Sequence, residues 1–63
     1  MNITRLICKY IKDGKTYYLW NIGSYYYELT TFKDINVATF NNMGLDEVQA
    51  ELTKHNYIKC ETE

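Results

Sequence analysis

The residues of this chain best suited to nucleophilic or acid–base chemistry are its one histidine, His55, and its two cysteines, Cys8 and Cys60. His55 lies at the C-terminal end of a predicted helix, where histidine usually caps carbonyl groups or remains solvated. Cysteines in strands are usually small buried hydrophobic residues. The sequence has no glycine-rich phosphate loop, no paired-carboxylate motif and no metal-ligand spacing. We therefore expect a protein that is not an enzyme and that has no catalytic residue, cofactor or metal.

Nucleic-acid binding is a second chemistry to consider, because Lys9, Lys12 and Lys15 lie close together in the sequence. The segment 9–18 also contains three tyrosines, and aromatic side chains with basic neighbours are typical of surfaces on which bases stack. The isoelectric point of about 5.7 weighs against this function. A nucleic-acid-binding accessory protein that uses the basic hairpin 9–18 is therefore the alternative function.

Acidic residues form a third group, found mainly in the second half of the chain. A solvated helix face is the simplest interpretation of this group. The competing hypothesis is an acidic interaction surface that mimics the charge of DNA. The carboxylates that would form this surface are Glu28, Asp46, Glu47 and Glu51.

A β-hairpin is indicated by Asp13-Gly14 between two runs rich in β-branched and aromatic residues. A two-residue turn would place Cys8 opposite Leu19, whereas a three-residue loop with a bulge would place Cys8 opposite Tyr18. A one-residue slip moves every side chain to the other face of the sheet. We predict the bulged loop, because it collects the following apolar residues on one core face: Leu6, Cys8, Tyr10, Tyr18, Trp20 and Ile22.

A second turn is indicated by Gly23-Ser24, since glycine suits the first central position of a type II′ turn. Pairing outward from this turn places Trp20 opposite Tyr27, on the face already predicted to be buried. The two turns therefore predict three antiparallel strands over residues 3–11, 16–22 and 25–31.

A helix is predicted from the apolar residues Leu45, Val48 and Leu52, which recur at i, i+3 and i+7. Gly44 with Glu47 three residues later forms a weak capping box. Asn42 is the competing N-cap, and Asn56 can end the helix.

Two segments flank this helix. Residues 57–61 alternate well enough for a closing strand. Residues 31–34 could cap a short helix, whereas residues 35–40 favour a strand, and we predict the strand. The expected fold class is α+β: a small antiparallel β-meander of three to five strands packed on one α-helix, in the order β-β-β-(β)-α-β. The 63 residues make one domain, 1–63.

The second face of the sheet is the predicted interaction site, because one helix can cover only one side. Its apolar members in the predicted register are Ile7, Ile11, Tyr17, Leu19 and Tyr26. Exposed apolar surface of this kind usually marks an interface. Cross-strand pairing that shields the sheet is the alternative. We expect a homodimer or another protein partner at this face.

The cellular setting is predicted from composition. Two cysteines and no signal peptide or apolar run of membrane length indicate reduced thiols, a cytoplasmic location and no membrane partner. A Cys8–Cys60 bridge remains possible if the closing strand lies beside the first. The frequent Asn, Ile, Lys and Tyr codons are AT-rich, which indicates a low-GC bacterium, its phage or a mobile element. The predicted function is a small interaction module that binds and modulates or inhibits a host protein.

Overall fold

The computed structural model describes residues 4–33 and 35–60, which form a five-stranded antiparallel sheet with one helix packed on one of its faces. The elements are β1 (Arg5–Lys12), β2 (Lys15–Gly23), β3 (Tyr26–Thr31), β4 (Asn36–Asn41), α1 (Leu45–Lys54) and β5 (Ile58–Lys59). The spatial order is β4-β3-β2-β1-β5. This arrangement agrees broadly with the predicted sheet and helix. It is not a plain meander, because the last strand returns to the free edge of β1.

The first hairpin has a two-residue turn at Asp13-Gly14, so the predicted three-residue loop is wrong. Both turn residues take positive φ, 53° at Asp13 and 76° at Gly14, as a type I′ turn requires. Aspartate tolerates this conformation better than most residues, so no third loop residue is needed. Cys8 consequently pairs with Leu19, and the core face is shifted by one residue from the predicted one.

A bulge in β1 changes the register again at the far end of the hairpin. The pairing shifts between Leu6 and Cys8, so that Leu6 lies opposite Trp20. The Leu6–Trp20 pair agrees with the predicted one, but it lies on the other face. Trp20 follows the fully buried Leu19 directly, and successive residues of a strand point to opposite faces.

The second turn is at Ser24-Tyr25 and not at the predicted Gly23-Ser24. Tyr25 takes the left-handed conformation, with φ 53°, and its carbonyl oxygen accepts a hydrogen bond of 3.2 Å from the Met43 N–H. This long-range bond holds Tyr25 in a conformation that local preference does not favour. Gly23 therefore pairs with Tyr26, and the predicted pairing of Trp20 with Tyr27 is replaced by Trp20 with Glu28.

The segment after β3 forms a turn and then a strand, as the strand interpretation predicts. The Thr31 N–H donates to the Ile35 carbonyl at 2.9 Å. The Thr31 hydroxyl oxygen accepts hydrogen bonds from the backbone N–H groups of Lys33 and Ile35 at 3.2 Å. Asp34, part of the alternative helix cap, lies outside the described residues. β4 then pairs antiparallel with β3.

Both ends of α1 are fixed by hydrogen bonds. At the start, the Gly44 N–H donates to the Glu47 Oε1 at 3.1 Å, which is the glutamate half of the predicted capping box. At the end, Asn56 takes φ 71°. Its N–H donates to the Thr53 carbonyl and the Tyr57 N–H to the Leu52 carbonyl, both at 3.0 Å. This is a Schellman motif, which turns the chain from the helix towards β5.

The closing strand β5 is short and lies beside β1. Tyr10 pairs with Lys59, and the Cys60 N–H donates to the Lys9 carbonyl at 2.9 Å. The start of the predicted first strand at residue 3 and the end of the last at Glu61 lie outside the described residues. Although the strands are adjacent here, Cys8 and Cys60 are both free cysteines, so the bridge left open by the sequence is not formed.

The core lies between the sheet and α1. Its buried residues are Cys8, Tyr10, Leu19, Leu29, Phe40, Val48 and Leu52. Fully burying one leucine contributes about 1.5–3 kcal/mol, so this small cluster contributes much of the folding free energy. Of the six core-face residues predicted from the first hairpin, only Cys8 and Tyr10 are in the core, and the predicted Tyr27 packs against it. The others of that set lie on the opposite face: Leu6, Tyr18, Trp20 and Ile22.

Candidate interaction surface

The face of the sheet that points away from α1, called the open face here, is the main candidate site. No described element lies over it, because the buried residues of α1 pack into the core on the other side. Its side chains, placed by strand alternation, are Leu6, Lys9, Ile11, Tyr18, Trp20, Ile22, Tyr26, Glu28, Thr30 and Ile58. Most of these side chains are aromatic or aliphatic, although the hydrophobic core lies on the other side of the sheet.

Trp20 lies at the centre of the open face, on the middle strand β2. Its indole Nε1–H donates a hydrogen bond of 2.9 Å to the Thr30 hydroxyl oxygen, and Thr30 is only 6% exposed. The bond fixes the orientation of the indole and satisfies its one polar group. Trp20 is therefore an ordered aromatic anchor whose ring is available to a partner.

Aliphatic side chains extend the open face on the β1 side. Leu6 is 42% exposed and Ile11 is 41% exposed. Ile58, the neighbour of Ile11 across the β1–β5 pair, is 69% exposed. A shallow groove of about 280 Å³ runs beside Trp20, with Ile22 and Thr30 in its lining. These aliphatic residues lie on the same face as Trp20 and extend its apolar surface.

Two opposite charges flank the aromatic centre of the open face. Lys9, on β1, has its Nζ 5.9 Å from the centroid of the Tyr18 ring. Glu28, on β3, accepts a hydrogen bond of 3.4 Å at its Oε2 from the Tyr26 hydroxyl. Among residues 4–33 and 35–60, neither charge belongs to an ion pair. Both are thus held against aromatic rings and remain open to an outside partner.

The predicted interaction face is divided between the two sides of the sheet. Ile11 and Tyr26 lie on the open face. Leu19 is fully buried, and Ile7 and Tyr17 pack against the core, so these three are corrections to the predicted site. The two-residue register, which the sequence also allows, would have identified Tyr18, Trp20 and Ile22 on this face. Leu6 lies there only because of the bulge between Leu6 and Cys8.

A tyrosine cluster lies on the opposite side, at the hairpin end of the sheet. The Tyr57 ring makes edge contacts with Tyr17 at 5.3 Å and with Tyr10 at 6.5 Å between centroids. The Lys12 Nζ lies 4.6 Å from the Tyr57 centroid. Burial raises the pKa of Tyr57, and Tyr17 and Asp13 add to the rise. The Tyr57 hydroxyl therefore stays protonated at neutral pH and contributes packing.

The hairpin lysines do not form one basic patch. Lys9 lies on the open face, whereas Lys12 and Lys15 pair with each other beside the turn. Lys12 points towards Tyr57 on the helix side. Lys15 lines a separate groove of about 400 Å³ with Phe32. Lys9 and Lys12 lie on opposite faces because they are three residues apart in one strand.

The predicted acidic surface is also divided, so the hypothesis that the four carboxylates share one surface is wrong. Glu28 lies on the open face, while Asp46, Glu47 and Glu51 belong to α1. The Glu47 carboxylate accepts a hydrogen bond from the Gly44 N–H at the start of α1. Glu51 lies 3.0 Å from the His55 Nε2. Both side chains of this pair are largely exposed, so it contributes little to stability.

Cys8 is buried, and the Gln49 Nε2 lies 3.9 Å from its sulfur as a hydrogen-bond donor.

The part of the chain that the structure describes has no cluster of three or more His, Cys, Asp or Glu side chains suited to a metal ion. In the same residues, no helix has the length and apolar character required to span a bilayer. Comparison with known protein families, with curated proteins and with solved structures finds no match for this chain.

Proposed function

We propose that this protein is a non-enzymatic interaction module that binds a protein partner through the open face. The observation that supports this proposal is Trp20: an ordered tryptophan at the centre of an uncovered apolar sheet face. Tryptophan and tyrosine are enriched in the centres of protein interfaces and account for much of their binding energy. Tyr18, on the same strand as Trp20, and Tyr26, on the neighbouring strand β3, add to the same surface.

The proposed partner is a host protein of a low-GC bacterium, and the module acts in the cytoplasm by modulating or inhibiting that protein. The abundance of Asn, Ile, Lys and Tyr, whose codons are AT-rich, supports this setting and is consistent with a phage or mobile element. Each Å² of apolar surface buried on binding would contribute about 25 cal/mol of favourable free energy. The hydrogen bond from Trp20 to Thr30 supports tight binding, because an oriented indole loses little conformational entropy when it is covered.

The test is affinity capture with the tagged protein from a low-GC bacterial lysate, with and without nuclease. Trp20→Ala is compared with Phe32→Ala, a control that removes an aromatic side chain 77% exposed in the β3–β4 turn. Truncation of a central aromatic anchor costs 2 kcal/mol or more, which is about a thirtyfold loss of affinity. We expect Trp20→Ala to lose the captured protein and Phe32→Ala to retain it.

Circular dichroism and thermal unfolding establish that both variants are folded before capture is compared. Equal recovery with the two variants would exclude the open face as the binding surface. Recovery that disappears with nuclease would exclude a direct protein partner.

Nucleic-acid binding is the second candidate, and the observation that favours it is the position of Lys9 above the Tyr18 ring. A cation beside a stacked base would contact the phosphate backbone. This function predicts affinity for single-stranded oligonucleotides that falls steeply with salt. Lys9→Gln should reduce both the affinity and its salt dependence, whereas Lys33→Gln, in the β3–β4 turn, should change neither. Binding that is unchanged between low and high salt would contradict this candidate.

A further inference from the structure

We infer that a second copy of this chain occupies the open face, in a face-to-face dimer whose two-fold axis runs along β2. The inference rests on the proposed function, since it concerns the same protein-binding surface, for which the second copy and the host protein compete. It derives from the positions of the two charges on that surface. Lys9 lies on β1 and Glu28 on β3, on opposite sides of the central strand.

The symmetry of the sheet makes these charges self-complementary. β1 and β3 are the two neighbours of β2. A two-fold rotation about the direction of β2 therefore places β1 of one protomer over β3 of the other. Lys9 then faces the partner's Glu28, and Glu28 faces the partner's Lys9. An isologous interface repeats every contact in this way, so one pair of charges supplies two ion pairs.

The register of the strands brings the paired charges within reach. Lys9 is in the cross-strand row of Tyr18, and Glu28 is in the row of Trp20, two residues further along β2. Strand rise gives a displacement of about 7 Å along the strands, and packed sheets lie about 10 Å apart. The α-carbons of the pair are then separated by about 12 Å. Extended lysine and glutamate side chains together span this distance.

The apolar side chains also suit a copy of the same surface. Tyr18, Trp20 and Ile22 all lie on β2. Because the axis runs parallel to β2, midway between the two sheets, these side chains pack against their own equivalents. A standard stable interface buries about 800 Å² per partner, about a sixth of the 4747 Å² accessible surface. One broad face of a body measuring 34 × 24 × 23 Å supplies that area. The dimer is a two-layer sandwich of sheets with α1 on each outer side.

The first experiment follows dimerisation by two readouts across a concentration series. Sedimentation gives the mass, and the emission of Trp20, the only tryptophan, reports whether the open face is covered. We expect the mass to rise from 7.5 kDa towards twice that value as the emission shifts to shorter wavelength, with one midpoint for both. A midpoint shared by the two readouts places Trp20 in the interface.

Charge reversal tests the arrangement itself. Lys9→Glu faces the partner's Glu28 with a like charge, and Glu28→Lys faces the partner's Lys9 in the same way. Each variant alone should weaken dimerisation about tenfold or more, because two attractive pairs become repulsive. An equimolar mixture of the two variants should form heterodimers of near wild-type affinity. Lys33→Glu, outside the open face, is the control and should leave the dimer unchanged.

The double variant with both reversals gives a further readout, since its homodimer again brings opposite charges together. It should dimerise like the wild type, and circular dichroism shows whether each variant is folded. A chain that stays monomeric at all concentrations, with constant Trp20 emission, would overturn the inference. The capture comparison of Trp20→Ala and Phe32→Ala would still decide the proposed function separately. A dimer that is insensitive to both reversals, or not restored by mixing, would overturn the arrangement.

Discussion

The two faces of the sheet have similar side chains and opposite environments. On the helix side, Tyr17 and Leu19 of β2 are covered by α1 and the tyrosine cluster. On the open face, Tyr18 and Trp20 of the same strand are covered by no described element. A strand with large apolar residues on both sides is typical of a sheet buried on both faces. The fold therefore buries one face under α1, and the proposed partner would bury the other.

The largest expected difference between the faces is in stability. Leu19→Ala leaves a cavity in the core and should reduce the free energy of unfolding by about 3 kcal/mol. Ile58→Ala, at a position 69% exposed on the open face, should reduce it by less than about 0.5 kcal/mol. Chemical denaturation of the two variants, at concentrations below those of the proposed dimer, measures both values. Similar losses would contradict the assignment of the two faces.

Alkaline pH should weaken the helix side specifically. Burial raises the pKa of Tyr10 to about 12, and Cys8 adds to the rise. An unfolded tyrosine has a pKa of about 10, so the stability linked to this proton is complete below pH 10 and is lost as the pH rises towards 12. The expected loss is about 2–3 kcal/mol. Tyr10→Phe should flatten the pH dependence of unfolding over this window, whereas Tyr25→Phe, 65% exposed, should not.

The packing of α1 on the sheet depends on Asn56, the residue in the left-handed conformation that follows the helix. Asn56 has φ 71°, a conformation that alanine adopts at a cost of about 1 kcal/mol and glycine adopts readily. Asn56→Ala should therefore lower the melting temperature by several degrees, and Asn56→Gly should leave it unchanged or raise it. Thermal unfolding compares the two, and a lower melting temperature for the glycine variant would argue against the role of this conformation.

A smaller effect is expected for the anchor of the open face. Thr30→Val keeps the shape of the side chain but removes the acceptor of the Trp20 indole N–H. Because the indole is only partly buried, the cost in unfolding free energy should be about 0.5–1 kcal/mol. The orientation of the ring should loosen, and the fluorescence anisotropy of Trp20 in the monomer should fall. An anisotropy equal to that of the wild type would show that packing alone orients the ring.

The sequence predicts α1 well because only one of its faces is apolar, so Leu45, Val48 and Leu52 allow a single interpretation. It predicts the presence of the first three strands for a similar reason, since each run is rich in β-formers. The register of these strands cannot be predicted in the same way. Both faces of β1 and β2 carry large apolar residues, so the hydrophobic pattern cannot select between two alignments one residue apart.

Three features that the hydrophobic pattern does not show decide the register. The type I′ turn at Asp13-Gly14 pairs Cys8 with Leu19, and the bulge at Ile7 moves Leu6 to the open face. The hydrogen bond from Met43 to Tyr25, which no short window of sequence contains, fixes the second turn. The candidate site follows the register, which is why the predicted surface exchanged members with the core. Ile11 and Tyr26 lie on the face that α1 leaves uncovered, as the sequence predicts, whereas Trp20 lies at the centre of that face and not in the predicted core.

The outer edge of β4 has a consequence for the behaviour of the protein in concentrated solution. Asn36–Asn41 ends the sheet, and this strand contains no charged residue and no proline, the devices by which natural edges resist further pairing. Heating or storage should therefore lead to growth by edge-to-edge strand addition and towards cross-β fibrils. A lysine at the exposed Thr39 would place a charge on this edge and slow such fibril formation.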